Sequence, residues 1–398
     1  MRLYEFEAKQ LWKEYGIAIP SGDVFTRDEL GTASMSFEDG ECVVKAQTLD
    51  GKRAQRGLIA YARNAADAQT QALAMLAQSN AESHIEKILI EQRVPHEFAI
   101  YISITYSTAS RSPILLLARN GGTGIEEARA HVQRYTIDHL VGLHPANIRQ
   151  LAYHIGLSTA QIQSLVPVAM QLWKCFYEQD CTLAEINPLV FCADGQWRAL
   201  DAKVELDVHA SFRRKNHRFP PRHTLGRMPT AAELAAWHID KNDHRGVAGT
   251  SYIDLDGDIA ILASGGGASL ACMDALIAHG GKPANYTEYS GNPPREKVQK
   301  LTEIVLSKPN LVGCWVVGVT ANFTDILETL TGFVDGVRAT HPKPTYPFLI
   351  RRAGPHDAEA FAMLTEVAKK EGYDFHLYGS DMPMISTAKK MMDLIHSR

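Results

Sequence analysis

The segment Glu185-Ile-Asn-Pro-Leu-Val190 is followed closely by Leu200-Asp-Ala-Lys203. On a strand, Glu185 and Asn187 share a face because side chains alternate with a period of two. A hairpin return through Ala193-Asp-Gly195 can bring Asp201 alongside them. Carboxylate and amide oxygens in that arrangement are hard ligands of the kind Mg²⁺ accepts, with phosphate oxygens and water completing its shell. An ordinary polar hairpin face has the same spacing, so both readings stay open. Lys45 lies on a candidate strand ahead of the basic loop Asp50-Gly-Lys-Arg-Ala-Gln-Arg-Gly57, which carries Lys52, Arg53 and Arg56. Such a loop neutralises a polyphosphate or is simply a solvated charged turn.

A second group lies far along the chain. Ser264-Gly-Gly-Gly-Ala-Ser269 joins a candidate strand to a candidate helix. Its glycines allow close backbone approach, and the free N–H groups of a helix start attract a carboxylate or phosphoryl group. It matches neither the GxxxxGK[ST] loop nor the GxGxxG dinucleotide fingerprint, which argues against a dinucleotide oxidoreductase. Thr320-Ala-Asn-Phe-Thr324 places Asn322 and Thr324 at another strand-to-helix junction, and Arg351-Arg352 ends the next strand. Taken singly, Thr324 reads as a helix cap and Arg351 as a surface charge. A guanidinium there is also suited to clamping a carboxylate.

These residues need a scaffold. With 398 residues, the chain has room for two or three domains with separate cores. Hydrophobic residues at 45% and charged residues at 22% exclude global disorder. A net charge of −4 gives no chain-wide basic field for nucleic acid. The longest apolar runs are strand-length, too short for a membrane span, and the amino terminus has no apolar signal-peptide core. The six cysteines form no CxxC pair and sit mostly in apolar stretches, as buried reduced thiols do. A cytoplasmic location is expected.

The texture changes twice along the chain. Short β-like runs alternate with helical periodicity up to about Asp207. A basic, turn-rich stretch with Arg213, Arg214, Arg218 and Arg222 follows, read by default as solvated, with a helix at 230–240 inside it. After Tyr252, strands at 259–264, 284–287, 314–319, 348–351 and 375–378 alternate with helices. That alternation predicts an α/β unit with a parallel sheet covered on both faces, binding ligands at the carboxyl ends of its strands. Earlier, 5–15 and 158–179 read as helices, 42–47 with 57–62 as a strand pair, and 183–191 with 197–204 as a hairpin.

Together the motifs resemble a known family. The quoted residues are Tyr4-Glu-Phe-Glu-Ala-Lys-Gln-Leu11, Val43-Val-Lys45, Ile88-Leu-Ile-Glu91, Glu185–Val190 with Leu200–Lys203, and the GGGAS turn. End to end, the chain resembles the β subunit of succinyl-CoA synthetase. Its C-terminal half is more similar to the citrate-binding part of ATP-citrate lyase, through Ala284-Asn-Tyr-Thr-Glu-Tyr-Ser-Gly291, Ala321-Asn-Phe-Thr324 and Arg351-Arg-Ala-Gly-Pro355. The resemblance implies an ATP-grasp domain at 1–240, a linker at 241–250 and a flavodoxin-like ligase domain at 251–398.

It further implies an ADP-forming acid–CoA ligase subunit that uses Mg²⁺, ATP and CoA. Asn187 and Asp201 would hold the metal. Lys45, Lys52 and Arg53 would contact phosphates, Glu91 would lie at the adenine hinge, and Glu97 near the ribose and metal. Glu185 would orient a phosphorylated histidine supplied by an α-type partner that also carries the CoA-binding domain. Gly265, Gly266, Gly267, Asn322, Thr324 and Arg352 would receive the acid, citrate or a similar polycarboxylate. A succinate or other small-acid ligase subunit, and a catalytically silent homologue, are the alternatives.

Overall fold

The computed structural model describes the whole chain except residues 31–39, 80–83, 97, 120, 122–131, 215–218, 221, 223–227, 242 and 398. It divides into two compact units, Met1–Met228 and Pro229–Arg398.

The first unit contains two antiparallel sheets. One has the order β1-β4-β2-β3, formed by β1 (Gly22–Phe25), β2 (Cys42–Ala46), β3 (Ile59–Ala62) and β4 (Ile88–Gln92). Helices α2 (Arg27–Leu30) and α3 (Ala65–Leu76) pack on it through a core of Val44, Ile88, Ile90, Ala68 and Ala72. The other sheet contains β5 (Phe98–Ser107), β6 (Ser112–Ala118), β7 (Gln133–Thr136), β8 (Cys181–Phe191), β9 (Trp197–Ala199) and β10 (Lys203–Leu206). Its order is β10-β8-β5-β6-β7, with β9 also paired to β8.

Helices α1 (Glu5–Glu14), α4 (Pro145–His154) and α5 (Thr159–Glu178) cover this second sheet. Leu11, Trp12, Leu165 and Leu172 are buried beneath them; each such side chain contributes about 1.5–3 kcal/mol relative to exposure. Helix α5 starts where the sequence predicts, because Ser158 and Gln161 satisfy each other's backbone N–H groups in a capping box. Helix α1 ends at Tyr15, and Gly16 takes a φ of 82°.

The basic stretch departs from its expectation. Arg214 and Arg222 are buried rather than solvated. Arg222 forms a two-pronged pair with Glu7 of α1 at 2.5 and 2.7 Å and lies over the Tyr4 ring. Arg214 donates to the carbonyls of Gln179 and Asp207.

The second unit starts with α6 (Ala231–Ile239), which therefore does not belong to the first, as the 240 boundary had implied. The expected linker at 241–250 is a tied loop. Asp240 accepts hydrogen bonds from the backbone N–H groups of Ala248, Gly249 and Thr250 and from the Thr250 hydroxyl. Lys297, buried beside it, pairs with the same carboxylate at 3.2 Å.

After a short antiparallel pair, β11 (Ile253–Asp254) with β13 (Asn285–Tyr286), the main sheet is parallel: β12 (Ile259–Ser264), β14 (Gly313–Thr320), β15 (Phe348–Ala353) and β16 (Phe375–Tyr378). Parallel bridges from Ile259 to Pro283 and from Ala263 to Glu288 set residues 283–288 on the outer side of β12. The spatial order is thus second, first, third, fourth, fifth, the flavodoxin-like order, with its switch point between β12 and β14. Helices α8 (Arg295–Leu306), α9 (Ile326–Ala339) and α10 (Asp357–Glu371) join α6 on one face. Helices α7 (Gly266–Ala278) and α11 (Ser386–His396) cover the other.

Candidate functional site

In the first unit, a cavity of about 1000 Å³ lies between residues of both antiparallel sheets. Val43, Ile59, Val94 and Pro95 give it an apolar wall, and Lys45, Lys52, Arg53, Arg93 and Lys203 give it cations. An apolar wall with a few placed charges suits a ligand that joins a ring to a polyanion.

Strand β8 supplies the acid–amide row. Leu189 pairs with Ala199 and Glu185 with Lys203, and the same antiparallel register sets Asn187 opposite Asp201. The sequence reading of one continuous return strand is corrected here: β9 ends at Ala199 and β10 begins at Lys203. Asp201 lies in the gap. On its other side, β8 carries a bulge, so Asn187 and Pro188 together face the single residue Tyr101 of β5. Proline tolerates such a position because it has no N–H to give the ladder, and bulges re-aim neighbouring side chains.

Below this row lies a dense charge network. Glu5 of α1 meets Lys9 at 2.8 Å, Lys45 at 2.8 Å and Arg53 at 2.6 Å. Glu91 meets Lys9 at 2.6 Å and Lys45 at 2.8 Å, while Arg53 reaches Asp201 at 2.7 Å. Burial would raise the Glu5 carboxyl, but Arg53, Lys45 and Lys9 outweigh it and hold the group well below its ordinary range. Burial, reinforced by Lys45, pulls Lys9 below the ordinary lysine value despite Glu5 and Glu91.

The structure thus brings Lys45, Lys52, Arg53, Glu91, Glu185, Asn187 and Asp201 to one cavity. Glu97 lies outside the described residues. The buried Glu91 carboxylate is engaged by Lys9 and Lys45, so any contact to a base there falls to the backbone. Lys45 already donates to Glu5 and to the Leu200 carbonyl and pairs with Glu91 at 2.8 Å. Arg53 is buried and Lys52, at a φ of 60°, is exposed.

Sequence reasoning missed three members: Glu5, Lys9 and Tyr101. The first two lie in the helix read at 5–15, and only packing against Lys45 and Glu91, distant in sequence, reveals their role.

Among the described residues, no three His, Cys, Asp or Glu side chains converge as a ready metal cage. Asn187 and Asp201 nonetheless fit Mg²⁺, which is commonly held by one or two carboxylates together with substrate phosphates and water. Asp201 keeps 35% of its side chain exposed while paired to Arg53.

In the second unit, Gly265–Gly267, Asn322 with Thr324, and Arg352 follow or end the adjacent strands β12, β14 and β15. Gly265 has a φ of 100° and starts α7 with no side-chain cap, and a Cβ at Gly266 or Gly267 would meet nothing within 4 Å. Thr324 is buried, but the cap of α9 is Asp325, whose carboxylate accepts from the Glu328 N–H at 3.0 Å. Arg352 is 0% exposed, and none of its three guanidinium nitrogens has an acceptor among the described residues. It lies 5.5 Å over the Tyr289 ring and packs on Gly318, which is paired with Ser264 at the end of β12. A buried, unanswered guanidinium is costly unless an anion completes it.

Comparison with known proteins agrees with both units. Residues 2–191 match the ATP-grasp domain family, and residues 231–394 match the ATP citrate lyase citrate-binding family. The succinate–CoA ligase [ADP-forming] subunit beta of Desulfurococcus amylolyticus is 31% identical over 92% of this chain and 94% of its own length. The subunit of the same name from Geobacillus thermodenitrificans is 32% identical over 79% of this chain and 82% of its own. Among solved structures, ATP citrate lyase from Methanothrix soehngenii, in complex with citrate and coenzyme A, superimposes with a TM-score of 0.80. That alignment covers 100% of this chain and 99% of the other at 20% identity, and shows a shared fold. No helix among the described residues is long and apolar enough to cross a membrane. By its identity to these relatives across most of both chains, this chain belongs to the family of β-type subunits of ADP-forming acid–CoA ligases.

Proposed function

We propose that the chain binds Mg·ATP in the cavity of its first unit and a polycarboxylate, citrate or a close analogue, at the switch point of its second. A histidine of an α-type partner attacks the γ-phosphorus in line, and ADP leaves. A carboxylate oxygen of the acid then takes the phosphoryl group and frees the histidine. The CoA thiol attacks the resulting acyl phosphate, with inorganic phosphate as leaving group. The activated intermediate is needed because a free carboxylate is a poor electrophile towards a thiol.

In this reading, Lys52 and Arg53 face the phosphates, with the network-bound Lys45 adding its charge. Asn187 and Asp201 hold Mg²⁺, which supplies charge neutralisation to the triphosphate when bound. Glu185 orients the incoming histidine. Gly265–Gly267 present the α7 start to one carboxylate, and Asn322, Thr324 and Arg352 bind the others. The work takes place in the cytoplasm, where reduced thiols like the six here persist.

The observation that carries the acid assignment is Arg352, fully buried with no hydrogen-bond acceptor among the described residues and packed on Gly318, which pairs with Ser264 at the end of β12. Thermal unfolding of the chain with citrate, tricarballylate, succinate and acetate tests it. Citrate should raise the midpoint by several degrees, and Arg352→Gln should abolish the rise. A rise with acetate and with none of the di- or tricarboxylates defeats the assignment. A second reading, succinate as the acid, is favoured by the names of the 31–32% identical relatives, and a rise with succinate alone selects it. Mg·ATP calorimetry on the wild type tests the nucleotide half, and no binding would favour a silent homologue.

A further inference from the structure

Tyr101 is a group that the proposed reaction leaves without a task. It sits on β5 opposite the bulge formed by Asn187 and Pro188, and it lines the same cavity. Its side chain is buried, with the residue 8% exposed. The hydroxyl lies 3.1 Å from Glu185 Oε2 and 2.8 Å from Ser103 Oγ. Ser103 is fully buried and pairs directly with Glu185 across the strands.

The proton positions follow from the donor inventory. A phenol has one hydrogen, and an ionised carboxylate only accepts. Tyr101 therefore donates to Glu185, and Ser103 donates to Tyr101. Burial, then the Glu185 charge, pushes the phenol above its ordinary value, so it remains a donor throughout the working pH range. On the other side of Glu185, the partner residue in the ladder is Lys203, which is exposed. The cross-strand neighbours thus differ: a buried hydroxyl pair on one side and a solvated cation on the other.

We propose that Tyr101, backed by Ser103, is a positioning residue that fixes the orientation of the Glu185 carboxylate towards the partner's histidine. The inference rests on the reading of Glu185 given above. Substitution by phenylalanine keeps the ring and its packing and removes only the donor.

The test uses the assembled complex with the α-type partner and follows transfer of labelled phosphate from Mg·ATP to histidine in a single turnover. Tyr101→Phe should slow transfer roughly tenfold, the scale of one hydrogen bond to a charged group, with Mg·ATP affinity unchanged. Glu185→Gln should slow it roughly a hundredfold. The double variant should be no slower than Glu185→Gln alone, because the hydroxyl acts through that carboxylate. A purely structural role for Tyr101 would instead add its loss in both backgrounds, and that result overturns the inference. So does full-rate transfer by Tyr101→Phe when Glu185→Gln is slow. Wild-type transfer by Glu185→Gln removes the role of Glu185 itself, and the inference falls with it.

Discussion

Glu5 and Arg53 meet at 2.6 Å, and through this contact a carboxylate of the first helix holds the basic loop that reaches Asp201. One buried anion thereby gathers three cations, with Lys9 and Lys45 at 2.8 Å each. The arrangement keeps Arg53 at the cavity wall, where unaided it would extend into water. Removing one member of a buried charge cluster leaves the others uncompensated, at about 3–5 kcal/mol. Glu5→Gln should therefore lower the free energy of unfolding by that order, seen as a lower urea midpoint. It should also weaken Mg·ATP binding, because Lys45 and Arg53 lose their common anchor. Urea titration and calorimetry on the same protein read both effects, and an unshifted urea midpoint would show that the cluster contributes no stability.

The same carboxylate predicts an acid limb. The Glu5 carboxyl is held well below its ordinary 4.5 by the neighbouring cations despite its burial. With the folded value below the unfolded one, the unfolded chain binds more protons in that interval. The stabilisation is fully present above pH 4.5 and is lost as pH falls from there through the folded value. Stability measured from pH 6 downwards should drop more steeply in the wild type than in Glu5→Gln. Parallel curves would assign the acid limb to other carboxylates.

Legibility in the sequence followed the range of the interactions. The parallel sheet and its loop edge were readable because strand–helix alternation and glycine turns are local patterns, and Gly265, Asn322, Thr324 and Arg352 do follow or end adjacent strands. The placement of Asn187 opposite Asp201 was readable in outline, because a hairpin turning at Ala193-Asp-Gly195 can bring the two alongside each other. The gap at 200–202 was not, since the apolar and polar residues there alternate as in a strand. Arg222 was misread because a basic, proline-rich run looks solvated, whereas its partner Glu7 lies at the far end of the unit's sequence. The Glu5–Lys9 pair at helical i, i+4 spacing likewise looks like a surface bridge until Lys45 and Glu91 bury it.

The loop 241–250 yields a local prediction. The Asp240 carboxylate accepts from three backbone N–H groups and a hydroxyl and pairs with buried Lys297. Asp240→Ala strands those donors and should destabilise the second unit by about 1–3 kcal/mol. Amide hydrogen exchange should speed up at Ala248, Gly249 and Thr250 before it changes in β12 and β14. Exchange that speeds up uniformly would show that the carboxylate supports the whole unit rather than this loop.

Arg352 sets stability against binding. A guanidinium at 0% exposure with no hydrogen-bond acceptor among the described residues is a burden on the protein without acid. Arg352→Met, similar in length and free of charge, should raise the unfolding midpoint without acid and abolish stabilisation by citrate, the pattern of a site that trades stability for function. Gly318→Ala probes the same geometry from the neighbouring strand. A Cβ there would stand 1.9 Å from Arg352 Nη1, and also 2.9 Å from Ser264 Cβ, so the guanidinium must move. That variant keeps the charge and misplaces it, and citrate affinity should fall by more than tenfold while Mg·ATP binding in the other unit is unchanged. If Arg352→Met is less stable than the wild type without acid, an unseen partner already satisfies the guanidinium. If Gly318→Ala binds citrate normally, the acid does not rest on Arg352.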